Sequence, residues 1–294
     1  MRRRTALTLL GWPVFAAAAD AAPLTKPIPS TGEPLPLVGL GTWITFNVGR
    51  DPVGRQQSAE VVRAFFAAGG RLIDSSPMYG SSQPVVGEAL QRLGMPRALF
   101  AADKVWTSGD GAAQAEASRQ LWQVPRFDLL QVHNLLAWER QLPLLQEMKR
   151  AGRVRYVGIT TSEGRRHAEF EKILRAHRLD FIQLPYNPVD READERLLPL
   201  ARERGVAVLA NRPFQEGDLL RQLARHPLPP FAADLRCASW AQLVLKHIVS
   251  HPAVTCAIPA TTSVAHVREN LAAASEPMPD EATRQRIARH IARL

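Results

Sequence analysis

The adjoining segments GGRLID, residues 69–74, and SSPMYGSS, residues 75–82, join a short apolar run to a loop that carries two reactive side chains. The run RLI predicts a buried strand, and the serines, the proline and the glycines predict the turn that follows it. A turn of this kind does not require Asp74 at the end of the strand or Tyr79 five residues later. These two residues need an explanation that depends on where the neighbouring strands end.

The rest of the chain alternates short apolar runs with amphipathic stretches. Apolar residues at helical spacing, as in SAEVVRAFFAAG and AWERQLPLLQEMKRAG, separate the runs, and several stretches end in a glycine that can cap a helix. Eight runs have the length and composition of strands: LVGLG, RLID, RALFAADK, FDLLQVH, VRYVGIT, DFIQLPY, GVAVLAN and AVTCAIP. Repeated strand–helix units require parallel strands, and eight of them favour a closed (β/α)8 barrel over an open doubly wound sheet. We therefore predict an α/β fold, a TIM barrel that forms a single domain over residues 23–294.

The composition is that of an ordinary globular protein with an excess of basic residues. The formal net charge is +9, from 37 lysines and arginines against 28 acidic residues. The arginines alternate with acidic residues in predicted helices, as in READERLLPLARERG, so nucleic-acid binding is not expected. The terminal segment DEATRQRIARHIARL predicts an amphipathic helix that packs on the outside of the barrel rather than on a membrane.

The first 22 residues, MRRRTALTLLGWPVFAAAADAA, have the order of a signal peptide: basic residues, an apolar run and then small residues. The apolar run is too short for a stable membrane anchor, and Ala19 and Ala21 offer a cleavage site of the A-x-A type. Arg3 and Arg4 resemble a twin-arginine signal, although the phenylalanine that often follows is missing. A general secretory signal or a retained anchor is the alternative. We expect a periplasmic protein without stable membrane insertion after cleavage.

The cysteines and histidines do not have the spacing of a metal site. Cys237 and Cys256 could form one disulfide in an exported protein, but Cys256 lies inside an apolar run, which favours a buried free thiol. His247 and His251 stand four residues apart without an acidic partner between them, so we expect them to pack against other elements. We predict no metal.

Three adjacent predicted strands end in ionisable residues. The second ends at Asp74 with Tyr79 beyond it, the third at Lys104 and the fourth at His133. Taken singly, each has a structural alternative: a helix cap, a surface lysine and a buried structural histidine. In a (β/α)8 barrel, however, the carboxyl ends of all strands meet at one mouth, where catalytic residues lie. Their joint occurrence predicts an active site.

These four side chains suit the donation of a proton to a carbonyl oxygen. A free tyrosine has a pKa of about 10 and is a weak acid at neutral pH, but a nearby ammonium group favours the phenolate and lowers that pKa. Lys104 can supply this charge, and Asp74 can hold the lysine ionised. His133 can hydrogen-bond the substrate oxygen. A hydride source is missing from the protein itself, which implies a nicotinamide cofactor.

The sequence resembles the aldo-keto reductase superfamily over essentially the whole chain after the signal. The motifs that carry the resemblance are GLGTW at 39–43, the loop segment from Asp74 through Tyr79 to Gly80, AADKVW around Lys104, LLQVHN ending at 134, QLPYN at 183–187 and IPATTSVAHVREN at 258–270. The resemblance implies the same barrel and the NAD(P)H-dependent reduction of aldehydes or ketones to alcohols. It makes Tyr79 the proton donor, tuned by Lys104 and Asp74. It makes His133 the group that positions the carbonyl.

The resemblance also implies a set of cofactor-binding residues, among which Thr42 and Trp43 match positions beside the nicotinamide and Gln183 matches the residue that bonds its carboxamide. The full set is Thr42, Trp43, Asp74, Thr160, Thr161, Gln183, Asn211, Arg212, Phe214, Thr261, Thr262, Ser263, His266, Glu269 and Asn270.

Several of these positions depart from the family's pattern. Thr161 stands where an asparagine is usual and cannot reproduce the paired donor and acceptor of an amide. Asn211 stands where many members have a tyrosine that stacks on the nicotinamide, so this stacking is lost or passes to Phe214. Arg212 is placed to meet a pyrophosphate.

The departures continue at the position of the NADP 2′-phosphate. Ala260 and His266 stand where the family commonly has a lysine and an arginine. The hydroxyls of residues 261–263 and the helix N-terminus after them still suit a phosphate, although they could simply cap the helix. We therefore expect NADPH, with NADH as the alternative.

The substrate pocket is expected to be an open mouth lined by Trp43, Trp106 and Trp138, which suits small or varied carbonyl compounds. We expect a monomer. Two alternatives to a reductase stay open: a non-catalytic cofactor-binding or redox-sensing barrel, and a Schiff-base lyase with Lys104 as the nucleophile.

Overall fold

A computed structural model describes the chain from residue 22 to residue 294. The signal peptide predicted over residues 1–22, including Arg3 and Arg4, lies outside the described residues except for Ala22. The described chain forms a β-hairpin, β1 (Thr25–Pro27) and β2 (Pro34–Pro36), followed by eight parallel strands. These are β3 (Leu40–Gly41), β4 (Leu72–Asp74), β5 (Phe100–Val105), β6 (Phe127–Val132), β7 (Val154–Thr160), β8 (Phe181–Pro185), β9 (Ala207–Asn211) and β10 (Cys256–Ala257).

The parallel strands close into a barrel. From β3 to β10, each strand pairs with the next one along the chain. Parallel bridges between Val38 and Ala257 and between Gly41 and Ala260 join the first strand to the last. The Gly39 N–H donates to the Ala257 carbonyl at 2.8 Å across the same seam. The predicted (β/α)8 barrel, with all eight of its strands, is confirmed.

Helices connect the strands and cover the outside of the barrel. They are α1 (Pro52–Ala67), α2 (Ser82–Arg92), α3 (Gly111–Trp122), α4 (Trp138–Arg150), α5 (His167–Ala176), α6 (Leu197–Glu203), α7 (Asp218–Leu223), α8 (Trp240–Val249), α9 (Val264–Ala272) and α10 (Glu281–Ile291). Five begin at a residue whose side chain accepts a hydrogen bond from the first turn, namely Asp51, Asp110, Ser239, Ser263 and Asp280.

Two of the predicted helices show how local chemistry sets their limits. In the predicted helical segment READERLLPLARERG, residues 191–205, the α-helix begins only at Leu197, because Pro199 is tolerated in the first turn of a helix and not in its interior. The C-terminal amphipathic helix is α10, which packs on α8 outside the barrel. Within residues 22–294 we find no helix with the length and apolar character needed to span a bilayer.

The N-terminal hairpin closes one end of the barrel. Ile28 and Leu35 of the hairpin are fully buried in the barrel core. The carboxylate of Glu33 accepts hydrogen bonds from Arg71, just before β4, at 3.2 Å and from the Tyr156 hydroxyl at 2.8 Å. The amino ends of the strands are therefore covered, and only the carboxyl ends are left open to a ligand.

Both cysteines are buried, and neither forms a disulfide in the described part of the chain. This agrees with the expectation of free thiols. Burial raises the pKa of the Cys237 thiol and that of Cys256, so neither is disposed to ionise at neutral pH.

Asp103 is a fully buried carboxylate on the outer side of β5. It accepts a hydrogen bond from Gln83 Nε2 of α2 at 2.7 Å, and the same nitrogen contacts Ser118 Oγ of α3 at 2.8 Å. Burial raises the pKa of Asp103 to about 7, against partial compensation from its hydrogen bond to the Lys104 N–H and from the Lys104 charge.

The raised pKa of Asp103 predicts a specific dependence of stability on pH. An unfolded aspartate ionises at about 3.9, so the folded state binds more protons between that value and about 7. The free energy of unfolding then falls as the pH rises through this window. Asp103→Asn should therefore raise the free energy of unfolding at pH 8.5, by up to about 4 kcal/mol. The increase in the free energy of unfolding should be much smaller at pH 4.5, as measured by urea titrations of both proteins at the two pH values.

Asp234→Asn is the control for this prediction, because Asp234 is an exposed carboxylate and its removal should change stability little at either pH. An Asp103→Asn protein no more stable than the wild type at pH 8.5 would contradict the prediction.

Candidate active site

The carboxyl ends of three neighbouring strands bring the predicted catalytic residues together. Asp74 is the last residue of β4, Lys104 lies at the end of β5, and His133 directly follows β6. Tyr79 lies in the loop after β4. Because the strands pair in parallel in this order, their side chains meet at the open end of the barrel.

Lys104 and Asp74 form a buried ion pair. Lys104 Nζ donates to Asp74 Oδ2 at 2.5 Å and to the Ser75 carbonyl at 2.8 Å. The two side chains are 0% and 2% exposed. Gln183 Nε2 donates to the other carboxylate oxygen, Oδ1, at 2.9 Å. Thr42 Oγ1 donates to the Asp74 carbonyl at 2.9 Å, so both charged groups are fixed in one orientation.

Tyr79 lies against both Lys104 and His133. Lys104 Nζ is 5.0 Å from the centre of the Tyr79 ring, and the Tyr79 and His133 rings meet edge to face with centroids 5.6 Å apart. Burial raises the pKa of Tyr79, the Lys104 charge offsets part of this effect, and Asp74 adds to it. Lys104 acts on this pKa in the predicted direction, but desolvation outweighs the ammonium charge, so the net shift is upward rather than downward. The hydroxyl is protonated at neutral pH, as an acid that donates a proton must be.

His133 is held as a neutral imidazole. Its Nδ1 lies 2.7 Å from Ser76 Oγ, which also accepts a hydrogen bond from the Met78 N–H at 3.1 Å. Burial and, second, the charge of Lys104 lower the pKa of His133 from 6.5 to about 2. Sequence reasoning missed Ser76, although its place between Asp74 and Tyr79, inside one of the family's motifs, was a usable signal.

Lys104 does not have the environment of a Schiff-base nucleophile. Burial alone would lower the pKa of Lys104, but the net shift is upward, first through the charge of Asp74 and also through its hydrogen bond to the ammonium group. The side chain is fully buried and does not line the cavity at the barrel mouth. A protonated, enclosed amine is a poor nucleophile, so the structure does not favour the lyase alternative.

A cavity of about 800 Å³ opens at the carboxyl ends of the strands. The cavity extends from Tyr79 and His133 to the N-terminal part of α9. It is mostly apolar and has the size of a site that binds a cofactor. The predicted residues that line it are Thr42, Trp43, Asp74, Tyr79, His133, Thr160, Gln183, Asn211, Arg212, Phe214, Thr261, His266, Glu269 and Asn270.

Three predicted cofactor residues do not line this cavity, and each has a structural role. The Thr161 hydroxyl donates to the Glu163 carbonyl at 2.9 Å. Ser263 is the N-cap of α9, as in the simple capping alternative. Thr262 is exposed, and its carbonyl accepts a hydrogen bond from Gln57.

Of the three tryptophans expected in the substrate pocket, only Trp43 lines the cavity. Trp138 is drawn to the outer helices, where its Nε1 donates to Glu169 at 3.0 Å and its ring packs on His177. Trp106 is 41% exposed outside the cavity wall. The pocket expectation therefore needs correction at Trp106 and Trp138.

Sequence reasoning missed part of the cavity wall. Asn134 lines it directly after His133. The stretch from β9 to the first turn of α8 contributes further residues, namely Glu216, Gly217, Leu220, Ala224, His226, Leu228 and Ala238–Ala241. The LLQVHN motif contained a signal for Asn134. Nothing in the local pattern of the stretch after β9 distinguishes cavity-lining residues from ordinary helix and loop residues.

Buried amide groups in the cavity wall have unmet hydrogen-bonding capacity. Asn211 Nδ2 donates to the Thr161 carbonyl at 2.9 Å and lies 3.4 Å from Gln183 Oε1. Asn211 Oδ1 and Asn134 Oδ1 have no partner among the described residues. Buried polar atoms are rarely left unpaired in proteins, so these oxygens indicate a ligand with hydrogen-bond donors.

Arg212 stands at the same end of the cavity in a left-handed conformation, with φ of 49°. Its guanidinium group pairs with Glu216 at 2.8 Å. An anionic ligand would compete with Glu216 for this cation.

Among residues 22–294 no group of three histidine, cysteine or acidic side chains is arranged to hold a metal ion.

The fold and this constellation are those of a barrel oxidoreductase, and comparison with known proteins gives the family. The Aldo/keto reductase family model matches residues 37–290, so the chain belongs to this family. Methylglyoxal reductase YeaE of Escherichia coli is 29% identical over 247 residues, which are 81% of this chain and 85% of that protein. The NADH-specific methylglyoxal reductase of Escherichia coli is 26% identical over 243 residues, which are 69% of this chain and 71% of that protein.

Solved structures give the same result. An aldo-keto reductase from Klebsiella pneumoniae in complex with NADPH has a TM-score of 0.75 and 25% identity, and the match covers 88% of this chain and 92% of that one. The family, the barrel and the NAD(P)H-dependent reduction of carbonyl groups are thus confirmed.

The buried ion pair predicts an asymmetric response to mutation. Lys104→Met leaves Asp74 buried without its cation, so the free energy of unfolding should fall by about 3–5 kcal/mol. Adding Asp74→Asn removes the unpaired charge and should recover part of this loss. Urea unfolding of the single and double variants measures both effects.

Lys172→Met, which replaces an exposed lysine, is the control and should change stability by no more than about 0.5 kcal/mol. A double variant less stable than Lys104→Met alone would show that the buried charge is not the cause.

Proposed function

We propose that Tyr79 donates the proton in the reduction of small aldehydes and ketones to alcohols, with His133 as the group that orients the carbonyl. The observation that carries this assignment is the contact of a protonated tyrosine with a buried ammonium ion and a neutral imidazole at one end of a cofactor-sized cavity.

The residues present fit a nicotinamide dinucleotide. When bound, the reduced nicotinamide supplies the hydride. Asn211 offers its free Oδ1 to the carboxamide N–H₂ group in place of the missing asparagine at position 161, since both ends of the Gln183 amide are engaged by Asp74 and Asn211. Arg212 would hold the pyrophosphate.

The adenine side of the cofactor would lie against the far wall of the cavity. Thr261, His266 and Asn270 line this region. NADPH is the proposed cofactor, and the lack of a lysine or arginine at positions 260 and 266 leaves NADH as the alternative.

The protonation states of the three groups define their roles. Ser76 Oγ and His133 Nδ1 share a hydrogen bond of 2.7 Å; with the serine hydroxyl as its donor, the imidazole proton lies on Nε2, where it can bond the substrate oxygen. Tyr79 gives its proton to the same oxygen as negative charge develops there. The ammonium of Lys104, 5.0 Å from the ring centre, then stabilises the phenolate. Asp74 keeps the lysine charged throughout.

The mouth is open, and its rim carries exposed apolar side chains, which suits small carbonyl compounds. Trp43, Ile44 and Met78 are 37%, 60% and 42% exposed beside the catalytic residues. Two Escherichia coli relatives are methylglyoxal reductases, so we propose 2-oxoaldehydes of that size as the first substrates to test. All four catalytic groups come from one chain, and a monomer is the proposed working state.

Tyr79→Phe tests the assignment of the acid. The variant keeps the ring but lacks the proton, so turnover of NADPH with methylglyoxal should fall at least about 10³-fold. Its NADPH affinity, measured by nicotinamide fluorescence, should change by less than about threefold. Tyr186→Phe, which removes a buried hydroxyl outside the cavity, should leave both quantities unchanged.

Two results would contradict this assignment. Wild-type protein that binds NADPH without any turnover of carbonyl compounds would favour the non-catalytic alternative. Trapping of Lys104 by borohydride in the presence of substrate would favour the lyase.

The role of Asn211 can be tested with a cofactor analogue. In 3-acetylpyridine adenine dinucleotide phosphate a methyl group replaces the carboxamide N–H₂, so it has no donor for Asn211 Oδ1. Wild-type protein should bind NADP⁺ about tenfold more tightly than the analogue, and Asn211→Ala should abolish this preference. Thr262→Ala is the control, because Thr262 does not line the cavity. An undiminished preference in Asn211→Ala would refute the role.

We also propose that the protein works in the periplasm after export by the twin-arginine route. One basis is the signal-like sequence of residues 1–22. The other is the need for a nicotinamide cofactor, which is made in the cytoplasm. A route that transports folded proteins can export the protein with this cofactor already bound.

Replacing Arg3 and Arg4 together by lysine keeps the charge and removes the twin-arginine signature. The variant should stay in the cytoplasm, whereas the wild type should fractionate with the periplasm in immunoblots of cell fractions. Export that continues unchanged in the variant would rule out this route.

A further inference from the structure

A second cavity lies on the outside of the barrel, between α8, α10 and the segment after β8, and we call it the outer cavity. Its volume is about 430 Å³. Its lining residues are Arg191, Asp194, His247, His251, Glu281, Arg284, Gln285 and Arg289. It shares no residue with the cavity at the barrel mouth, and the reductase mechanism makes no use of it.

The outer cavity carries more positive than negative charge. Arg284 is 5% exposed, and its one carboxylate contact is Glu281 at 3.2 Å. Arg191 and Arg289, at the rim, have no carboxylate within 4.0 Å among the described residues. Asp194 is the only other acidic residue of the lining. Guanidinium groups arranged in this way suit an anion with several acceptor oxygens.

The histidines fix which atoms face the outer cavity. His247 Nδ1 lies 3.2 Å from the Arg284 carbonyl, which can only accept, so Nδ1 carries the proton. Burial and the Arg284 charge lower the pKa of His247 to about 3, so its Nε2 is a bare acceptor. The Ala253 N–H donates to His251 Nδ1, which places the His251 proton on Nε2, 3.5 Å from Asp194 Oδ1.

Two nitrogens of side chains at least nine-tenths buried around the outer cavity have no hydrogen-bond partner in the described chain, His247 Nε2 and Arg284 Nε. Asp194 Oδ1 faces two donors of the protein itself, His251 Nε2 at 3.5 Å and the Tyr186 hydroxyl. His247 is 1% exposed. The arginine nitrogen needs an acceptor, whereas the imidazole nitrogen needs a donor. A ligand that suits both nitrogens and the surplus positive charge carries negative charge and at least one O–H group.

We propose that the outer cavity binds a hydrogen phosphate group, either as free phosphate or as a small phosphate monoester. Its charged oxygens match the arginines, and its P–O–H group matches His247 Nε2. A carboxylate or sulfate ion would meet the arginines but would bring no donor for these acceptors. Water would bring donors but no negative charge to balance the three arginines of the lining, which face only two carboxylates, Asp194 and Glu281.

The proposal predicts discrimination between two anions of similar size and shape. Isothermal titration calorimetry at pH 6.0 would compare sodium phosphate with sodium sulfate at equal ionic strength. Phosphate should bind one site per chain at least tenfold more tightly than sulfate. A third titration, with glycerol phosphate, separates the sources: binding of the ester at similar strength supports a monoester ligand, and binding of inorganic phosphate alone supports the free ion.

The double variant Arg191→Ser/Arg289→Ser tests the location, because both side chains are exposed and their loss should not impair folding. It should weaken phosphate binding at least tenfold. The matched control is Arg178→Ser/Arg293→Ser, which removes two exposed arginines outside the outer cavity and has the same net charge. His247→Phe, which removes the bare acceptor, should reduce the preference for phosphate over sulfate.

Equal binding of sulfate and phosphate to the wild type would overturn the proposal. So would phosphate binding by the Arg191→Ser/Arg289→Ser protein that equals binding by the control, since the anion would then occupy another site, such as the cavity at the barrel mouth.

Discussion

The ion pair of Lys104 and Asp74 is the interaction on which the site depends. Two opposite charges from neighbouring strands are buried together, and the carboxylate is bonded on both oxygens. In surroundings of low dielectric constant such a pair persists only with this degree of hydrogen bonding. Because it is fixed, it supplies a constant electrostatic field to Tyr79 and His133, which lie beside it at the open end of the barrel.

The field and the burial act on the two neutral groups in a way that suits carbonyl reduction. Burial keeps Tyr79 protonated and His133 uncharged, so the mouth presents an acid and a neutral hydrogen-bonding ring. The ammonium ion of Lys104 stabilises Tyr79 most when the phenolate forms. The site therefore favours the charge distribution of the transition state over that of the bound substrate. The hairpin at the other end of the barrel covers the strand starts, so a substrate and its cofactor share one entrance.

The strand ends were predictable because one rule of barrel geometry converts sequence order into spatial proximity. Asp74, Lys104 and His133 follow that rule directly. The sign of the Tyr79 pKa shift was not predictable, because it depends on a balance between desolvation and the Lys104 charge that only packing determines. Trp106 and Trp138 failed as pocket residues for a related reason: the direction of a side chain in a loop or at the start of a helix is set by its neighbours, as Glu169 sets that of Trp138.

The sequence alone determined the barrel, the family and the residue types at the catalytic strand ends, because hydrophobic periodicity and motif spacing are properties of the chain. Only the tertiary structure decided the rest. It joined Asn211 to Gln183 across two strands, left Thr161 bonded to its own loop, and gathered arginines and histidines from three separate segments around the outer cavity. These arrangements depend on which side chains share a buried volume, and residues far apart in the chain do not reveal that until the backbone is folded.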